Sequence, residues 1–101
     1  ARLGEANVLL AMGDILRAEK EYSEAWQRYE AVFHLYNAIG DRYSIARVLY
    51  RMGDWQVAQE NFADSIRLFE SAIGLWEAIG LPDLAAQIIQ PKLDAARGQL
   101  Q

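Results

Sequence analysis

The sequence predicts an all-α fold, a right-handed α-α superhelix of stacked helix hairpins, and three observations lead there. The chain repeats with a period of 40 residues: Met12-Gly13-Asp14 returns as Met52-Gly53-Asp54, and Ala38-Ile39-Gly40 as Ala78-Ile79-Gly80. Seven more pairs match at that offset (Arg2/Arg42, Ala6/Ala46, Val8/Val48, Leu9/Leu49, Ala18/Ala58, Glu30/Glu70 and Leu35/Leu75), giving 13 identities in 40 positions without a gap. A fixed period of about 20–50 residues marks a solenoid, whose units stack because none buries its apolar face alone. Within each unit apolar residues recur at helical spacing, and a glycine closes it, in Gly40-Asp41 and in Gly80-Leu81-Pro82-Asp83.

Each unit reads as two helices. The first stretches, residues 3–19 and 42–59, carry Leu9, Met12 and Leu16, then Ile45, Val48, Leu49, Met52 and Trp55. Gly13 and Gly53 fall in mid-helix, where glycine costs about 1 kcal/mol against alanine. Their equivalence predicts a neighbour that approaches too closely for a Cβ. Turns are expected at Lys20-Glu21 and Glu60-Asn61. The second stretch, 22–39, places Tyr22, Ala25, Trp26, Tyr29, Val32, Phe33, Tyr36 and Ile39 in one wide stripe of 3.6-residue period. Its counterpart holds Phe62, Ser65, Ile66, Phe69, Ala72, Ile73, Trp76 and Ile79, with a small residue at Ser65 suited to close helix contact. Gly40-Asp41 combines a C-terminal glycine with a capping aspartate, and Gly80-Leu81-Pro82-Asp83 does similar work, with Pro82 fit for a first helical turn.

Repeat one thus spans residues 1–40 and repeat two 41–80, while 81–101 form a partial repeat or C-terminal capping helix. In that last unit Leu93 stands where glycine is expected, and Pro91 removes a helical hydrogen bond and crowds the carbonyl four residues back. A kink or break near Pro91 follows. The chain opens at Ala1 already in a helical pattern, as expected of a piece of a longer array. Gln87, Gln90, Gln99 and Gln101 suggest one wetted face.

Composition bounds the function. No stretch approaches the ~18 apolar residues of a membrane span, and no membrane role is expected. With no cysteine there is neither a disulfide nor a thiolate metal site, which agrees with a reducing, cytoplasmic location. A net charge of −4 opposes generic nucleic-acid binding, which needs a cationic footprint. There is no phosphate-binding loop, dinucleotide fingerprint or His-Glu-x-x-His, and the single histidine, His34, has no nucleophile arrangement around it. No enzyme, cofactor or metal is expected.

The pattern Leu9, Met12, Gly13, Leu16, Ala25, Tyr29 and Val32, repeated as Leu49, Met52, Gly53, Gln56, Ser65, Phe69 and Ala72, resembles the tetratricopeptide repeat (TPR) family. That family's unit is a helix pair marked by a large residue, Leu-Gly, then Ala, an aromatic and Ala. Gln56, Ser65 and Val32 depart from the commonest choices, and the usual closing proline is absent. The 40-residue spacing is similar to the longer variety found in kinesin light chains, Leu-Gly-Asn polarity scaffolds, bacterial peptide-sensing regulators and sensor arms of signalling ATPases.

The resemblance implies a solenoid whose first helices line a concave groove for a peptide or partner helix. By that analogy the groove residues are Asn7, Leu10, Asp14 and Arg17, then Arg47, Tyr50, Arg51, Asp54 and Val57, then Gln87, Gln90, Asp94 and Arg97. Leu10 and Asp14 occupy positions where the chaperone-binding subgroup has Lys and Asn, which disfavours a carboxylate clamp. Arg47 keeps the groove arginine of the Leu-Gly-Asn scaffolds, whereas Asp14 and Asp54 replace their asparagine.

Asp14, Asp54 and Asp94 form a ladder at 40-residue spacing, either a row of acceptors for a bound segment or structural carboxylates paired with arginines. A joint metal site is not expected, because helices packed about 8–10 Å apart cannot bring them to one ion at about 2.0–2.6 Å. The aromatics of the second helices read as core. Tyr50 is the better aromatic candidate for a contact. The expected function is protein–protein interaction, with Leu10, Tyr50 and Val57 giving apolar contact; the alternatives are a ligand-sensing segment of a larger signalling protein and homo-oligomerisation through exposed array ends.

Overall fold

The structure, a computed structural model, describes residues 2–101. Helices α1 (Arg2–Ala18) and α2 (Tyr22–Ile39) make the first hairpin, and α3 (Arg42–Ala58) and α4 (Phe62–Ala78) the second. Two shorter helices, α5 (Pro82–Ile88) and α6 (Gln90–Gln99), follow; there is no strand among the described residues. Each helix packs on the next, α4 meets both α5 and α6, and α1 also touches α3, so first helices lie side by side. The result is a slab of 43 × 34 × 17 Å, two layers of helices about 10 Å wide.

Local chemistry sets the ends. Gly40 adopts φ 79° at the end of α2, its amide donating to the Tyr36 carbonyl at 2.9 Å, and Gly80 adopts φ 84° at the equivalent place. Asp41 then caps α3, accepting from the Ser44 amide at 3.2 Å and the Ser44 hydroxyl at 2.9 Å. The turns inside the hairpins are also copies of one another. Lys20 (φ 63°) and Glu60 (φ 61°) are left-handed, and the following amides, of Glu21 and Asn61, close on the Leu16 and Gln56 carbonyls at 2.8 and 2.9 Å. Non-glycine residues pay steric strain there of about 1–2 kcal/mol, partly offset by the greater chain entropy of unfolded glycine. Lys20→Gly and Glu60→Gly should each raise stability by about 0.5–1 kcal/mol, read as a higher urea midpoint at unchanged slope.

The core runs along the stack in two adjoining clusters. Ala6, Leu10, Ala25, Tyr29, Val32, Tyr36, Val48 and Met52 fill the first. Ala46, Phe69, Ala72, Trp76, Ala85, Ile89, Leu93 and Ala96 fill the second. The mid-helix glycines answer to this packing. A Cβ on Gly13 would lie 2.7 Å from Tyr29 Cε1, and one on Gly53 would lie 2.5 Å from Phe69 Cε1. In each hairpin, therefore, the glycine of the first helix seats the aromatic ring of the second.

The final unit departs from the repeat. Helicity breaks at Ile89, two residues before Pro91, so the capping segment forms two helical pieces, as the placement of Pro91 predicts. Pro91 has no N–H to offer the Gln87 carbonyl, while the Ile89 carbonyl takes the amides of Lys92 and Leu93 at 2.9 and 3.0 Å. Ile89 and Leu93 are both buried against α4. The break lets this amphipathic end fold down onto the last hairpin.

Candidate functional site

The three first helices are tied laterally by polar side chains. On α1, Asn7 Oδ1 accepts from the Tyr36 hydroxyl and from Arg47 Nη1 at 3.5 Å. Two turns further on, Asp14 accepts from the Tyr29 hydroxyl at 2.7 Å and pairs with Arg51 Nε at 3.4 Å. Arg17 reaches Asp54 at 3.3 Å and donates to the Arg51 carbonyl at 3.3 Å. Asp54 also receives Lys92 Nζ of α6 at 2.9 Å. Acid and base thus alternate from α1 through α3 to α6, in partly buried surroundings where ion pairs are screened less than on open surface.

The aromatic residues beneath carry this network. Tyr29 is fully buried apart from its link to Asp14, and burial first, then the hydrogen bond to that carboxylate, raises its pKa well above the usual phenol value. Burial likewise raises Tyr36, against the lowering influence of Arg47. A phenol held protonated by the fold contributes stability fully below pH 10.0, its unfolded value, and loses it as the pH climbs above that. Tyr29→Phe should cost about 1 kcal/mol at neutral pH and make the alkaline decline shallower, which urea melts between pH 8 and 11 would measure. Phe69 at the equivalent position shows that the ring is accommodated without its hydroxyl.

Tyr50 lies half-buried, edge-on to Trp76 with centroids 5.9 Å apart, with the Arg51 guanidinium 4.3 Å above its ring. Arg47 sits 5.9 Å from the Tyr43 ring, and Val57 is exposed. Two expectations need correction. Leu10 is 1% exposed and belongs to the core with Ala6 and Gly13, so it offers no contact to a partner. Asp94 is not a third rung: it is exposed and accepts from Gln90 at 2.9 Å, while Lys92 takes the place beside Asp54. Gln87 is exposed on α5, and Arg97 pairs with Glu70 of α4 at 3.1 Å rather than with α3. Among the described residues no group of three acidic, His or Cys side chains could hold a metal ion.

Lys92 escaped the sequence reading, as did a feature beside it. Where α3, α4 and α6 meet, an open cleft of about 210 Å³ is floored by Phe62, Phe69 and Ala96, flanked by Val57 and Ala95, and rimmed by Asp54 and Lys92. Two of its residues, Asp54 and Val57, are among the expected groove positions. The signal for it was present in the repeat, since Trp55 of the second unit corresponds to Ala95.

A tetratricopeptide repeat family model matches residues 4–78, three quarters of the chain. The chain belongs to the tetratricopeptide repeat family. No curated protein matches it at a significant level, and neither does any solved structure. Tetratricopeptide repeats serve in general as protein–protein interaction modules. The family match ends at Ala78, the last residue of α4, so the kinked α5–α6 segment lies outside it. No helix among the described residues is long and apolar enough to cross a membrane.

Proposed function

We propose that this tetratricopeptide repeat segment binds a polypeptide along the side of the slab formed by α1, α3 and α6. The observation that carries this reading is the lateral network Asn7–Arg47, Asp14–Arg51, Arg17–Asp54–Lys92. It fixes long charged side chains in advance, so a bound segment need not meet the cost of ordering them. Arg47, Tyr50 and Val57 stand along the same helix and supply a cation, an amphipathic ring and an apolar contact. The test uses peptides selected from a displayed random library against the folded chain. Replacing Arg47 and Tyr50 together with alanine should weaken the selected peptides at least 100-fold, with the far-ultraviolet circular dichroism unchanged. Peptides that bind the double variant as tightly as the wild type would refute the assignment.

One further observation favours a second surface, which we read as a site of self-association. Val48 and Met52 of α3 are 0% and 8% exposed because α2 covers them, yet their equivalents on α1, Val8 and Met12, are 59% and 38% exposed, with Ile15 beside them at 58%. This apolar row has the composition of a helix-covered face. Sedimentation across a concentration range should show a weight-average mass that rises with concentration and stays monomeric in the Val8→Asp/Ile15→Asp variant. A constant monomer mass for the wild type would dismiss this surface.

A further inference from the structure

The repeat supplies its own template for what fills the cleft between α3, α4 and α6. At the α2–α3 junction, the Trp55 ring lies against Trp26 at 4.6 Å and edge-on to Tyr22 at 6.4 Å, and its Nε1–H donates to the Tyr22 carbonyl at 2.8 Å. Forty residues on, Phe62 stands for Tyr22 and Ile66 for Trp26, but Ala95 stands for Trp55. The next residue is Ala96, so a one-residue shift of register after the Ile89 break would not restore a ring either. An indole is therefore missing at the corresponding place, and the open cleft of about 210 Å³ lies against two residues of that setting, Phe62 and Ala95.

We propose that this cleft is an anchor pocket for one phenylalanine side chain of the polypeptide bound by the α1–α3–α6 surface. The inference rests on that functional reading and adds the identity of the anchor. Size permits it, since an apolar cavity of about 150 Å³ accepts benzene. The floor is apolar, made by Phe62, Phe69 and Ala96, with Val57 and Ala95 at the sides. The choice of a ring without a donor follows from the Phe62 carbonyl, the one that a copy of Trp55 at position 95 would have used. Ser65 Oγ already donates to the Phe62 carbonyl at 2.8 Å, whereas the equivalent residue of the first repeat, Ala25, leaves that role to the indole N–H. At the rim, Lys92 held by Asp54 at 2.9 Å gives a polar border, the arrangement in which a buried aromatic anchor surrounded by water-excluding contacts dominates affinity.

The experiment is a methyl-detected NMR titration of the full chain with benzene, followed by the selected peptides. Benzene should shift the methyls of Ala95, Ala96 and Val57 saturably and leave those around Tyr22 and Trp26 in place. Ala95 is on the exposed side of α6, so Ala95→Trp should fold and refill the space, abolishing the benzene shifts. Ala95→Leu, a milder filling, should weaken them at least fivefold. Peptides should carry a phenylalanine whose replacement by alanine costs at least tenfold in affinity, and Ala95→Trp should cost the same. No saturable shift in the wild type, or shifts indifferent to both substitutions, overturns the pocket. Peptide binding that depends on Arg47 and Tyr50 but ignores Ala95→Trp overturns the pocket alone. Benzene binding without any peptide binding keeps the cavity and overturns the groove reading on which its occupant depends.

Discussion

Trp76→Ala should remove about 3–5 kcal/mol of stability, the largest loss expected from any single truncation in this chain. Trp76 is 2% exposed at the centre of the second core cluster. It stacks on Tyr43 with centroids 5.6 Å apart and planes 15° from parallel, meets Tyr50 edge-on, and its Nε1–H donates to the Tyr43 carbonyl at 3.1 Å. Truncation therefore opens a cavity, strands a helix-end carbonyl contact and frees two tyrosines at once. Domains of this size hold only about 5–15 kcal/mol in total, so thermal unfolding should begin at least about 12 °C lower. Because repeat arrays are stabilised by neighbouring units, amide-exchange protection should fall first in α4, α5 and α6 and less in α1 and α2. A loss below about 1 kcal/mol would mean that Trp76 is not a core residue.

Gly53→Ala and Gly13→Ala should destabilise, against the rule for glycine inside helices. Helix propensity alone favours alanine by about 1 kcal/mol. Here the added Cβ would lie 2.5 Å from the Phe69 ring or 2.7 Å from the Tyr29 ring. Both rings are fully buried: Tyr29 is held in a close-packed interior by its bond to Asp14, and Phe69 can retreat only into the cleft that it floors. Overpacking costs about 1–3 kcal/mol, which leaves a net loss of up to about 2 kcal/mol once the helix-propensity gain is subtracted. Gly74 provides the control. It lies within α4 with nothing within 4 Å of the added Cβ, so Gly74→Ala should gain about 0.5–1 kcal/mol. Denaturant midpoints of the three variants check the contrast directly.

Much of the fold was legible because the repeat offers each position twice. The wide stripes of α2 and α4, the Asp41 cap and the left-handed glycines 40 and 80 are all local devices, and local devices can be read from spacing. The reason for Gly13 and Gly53 was legible too. What fills the space was not: glycine announces a close approach but not whether the neighbour is another repeat or the opposite helix of its own hairpin. Leu10 was misplaced by family analogy although Ala6, Leu10 and Gly13 follow a four-then-three spacing that marks one buried strip. Lys92 was missed because the break at Ile89 alters the register. Asp14 meets Arg51, 37 residues on, whereas Asp54 meets Lys92, 38 residues on. The cleft was hidden for a different reason, since it depends on an absent side chain and pattern reading attends to those present.

The nesting of each ring over its glycine is what aligns the helices whose side chains form the lateral network and the cleft. A double-mutant cycle between Gly53→Ala and Phe69→Ala tests it most directly, run in a Glu60→Gly/Gly74→Ala background so that every member stays folded. With Phe69 present, the added methyl should cost up to about 2 kcal/mol; without the ring it should be neutral or stabilising by up to about 1 kcal/mol. Effects that simply add, to within about 0.5 kcal/mol, would show that glycine and ring do not meet and would contradict the account.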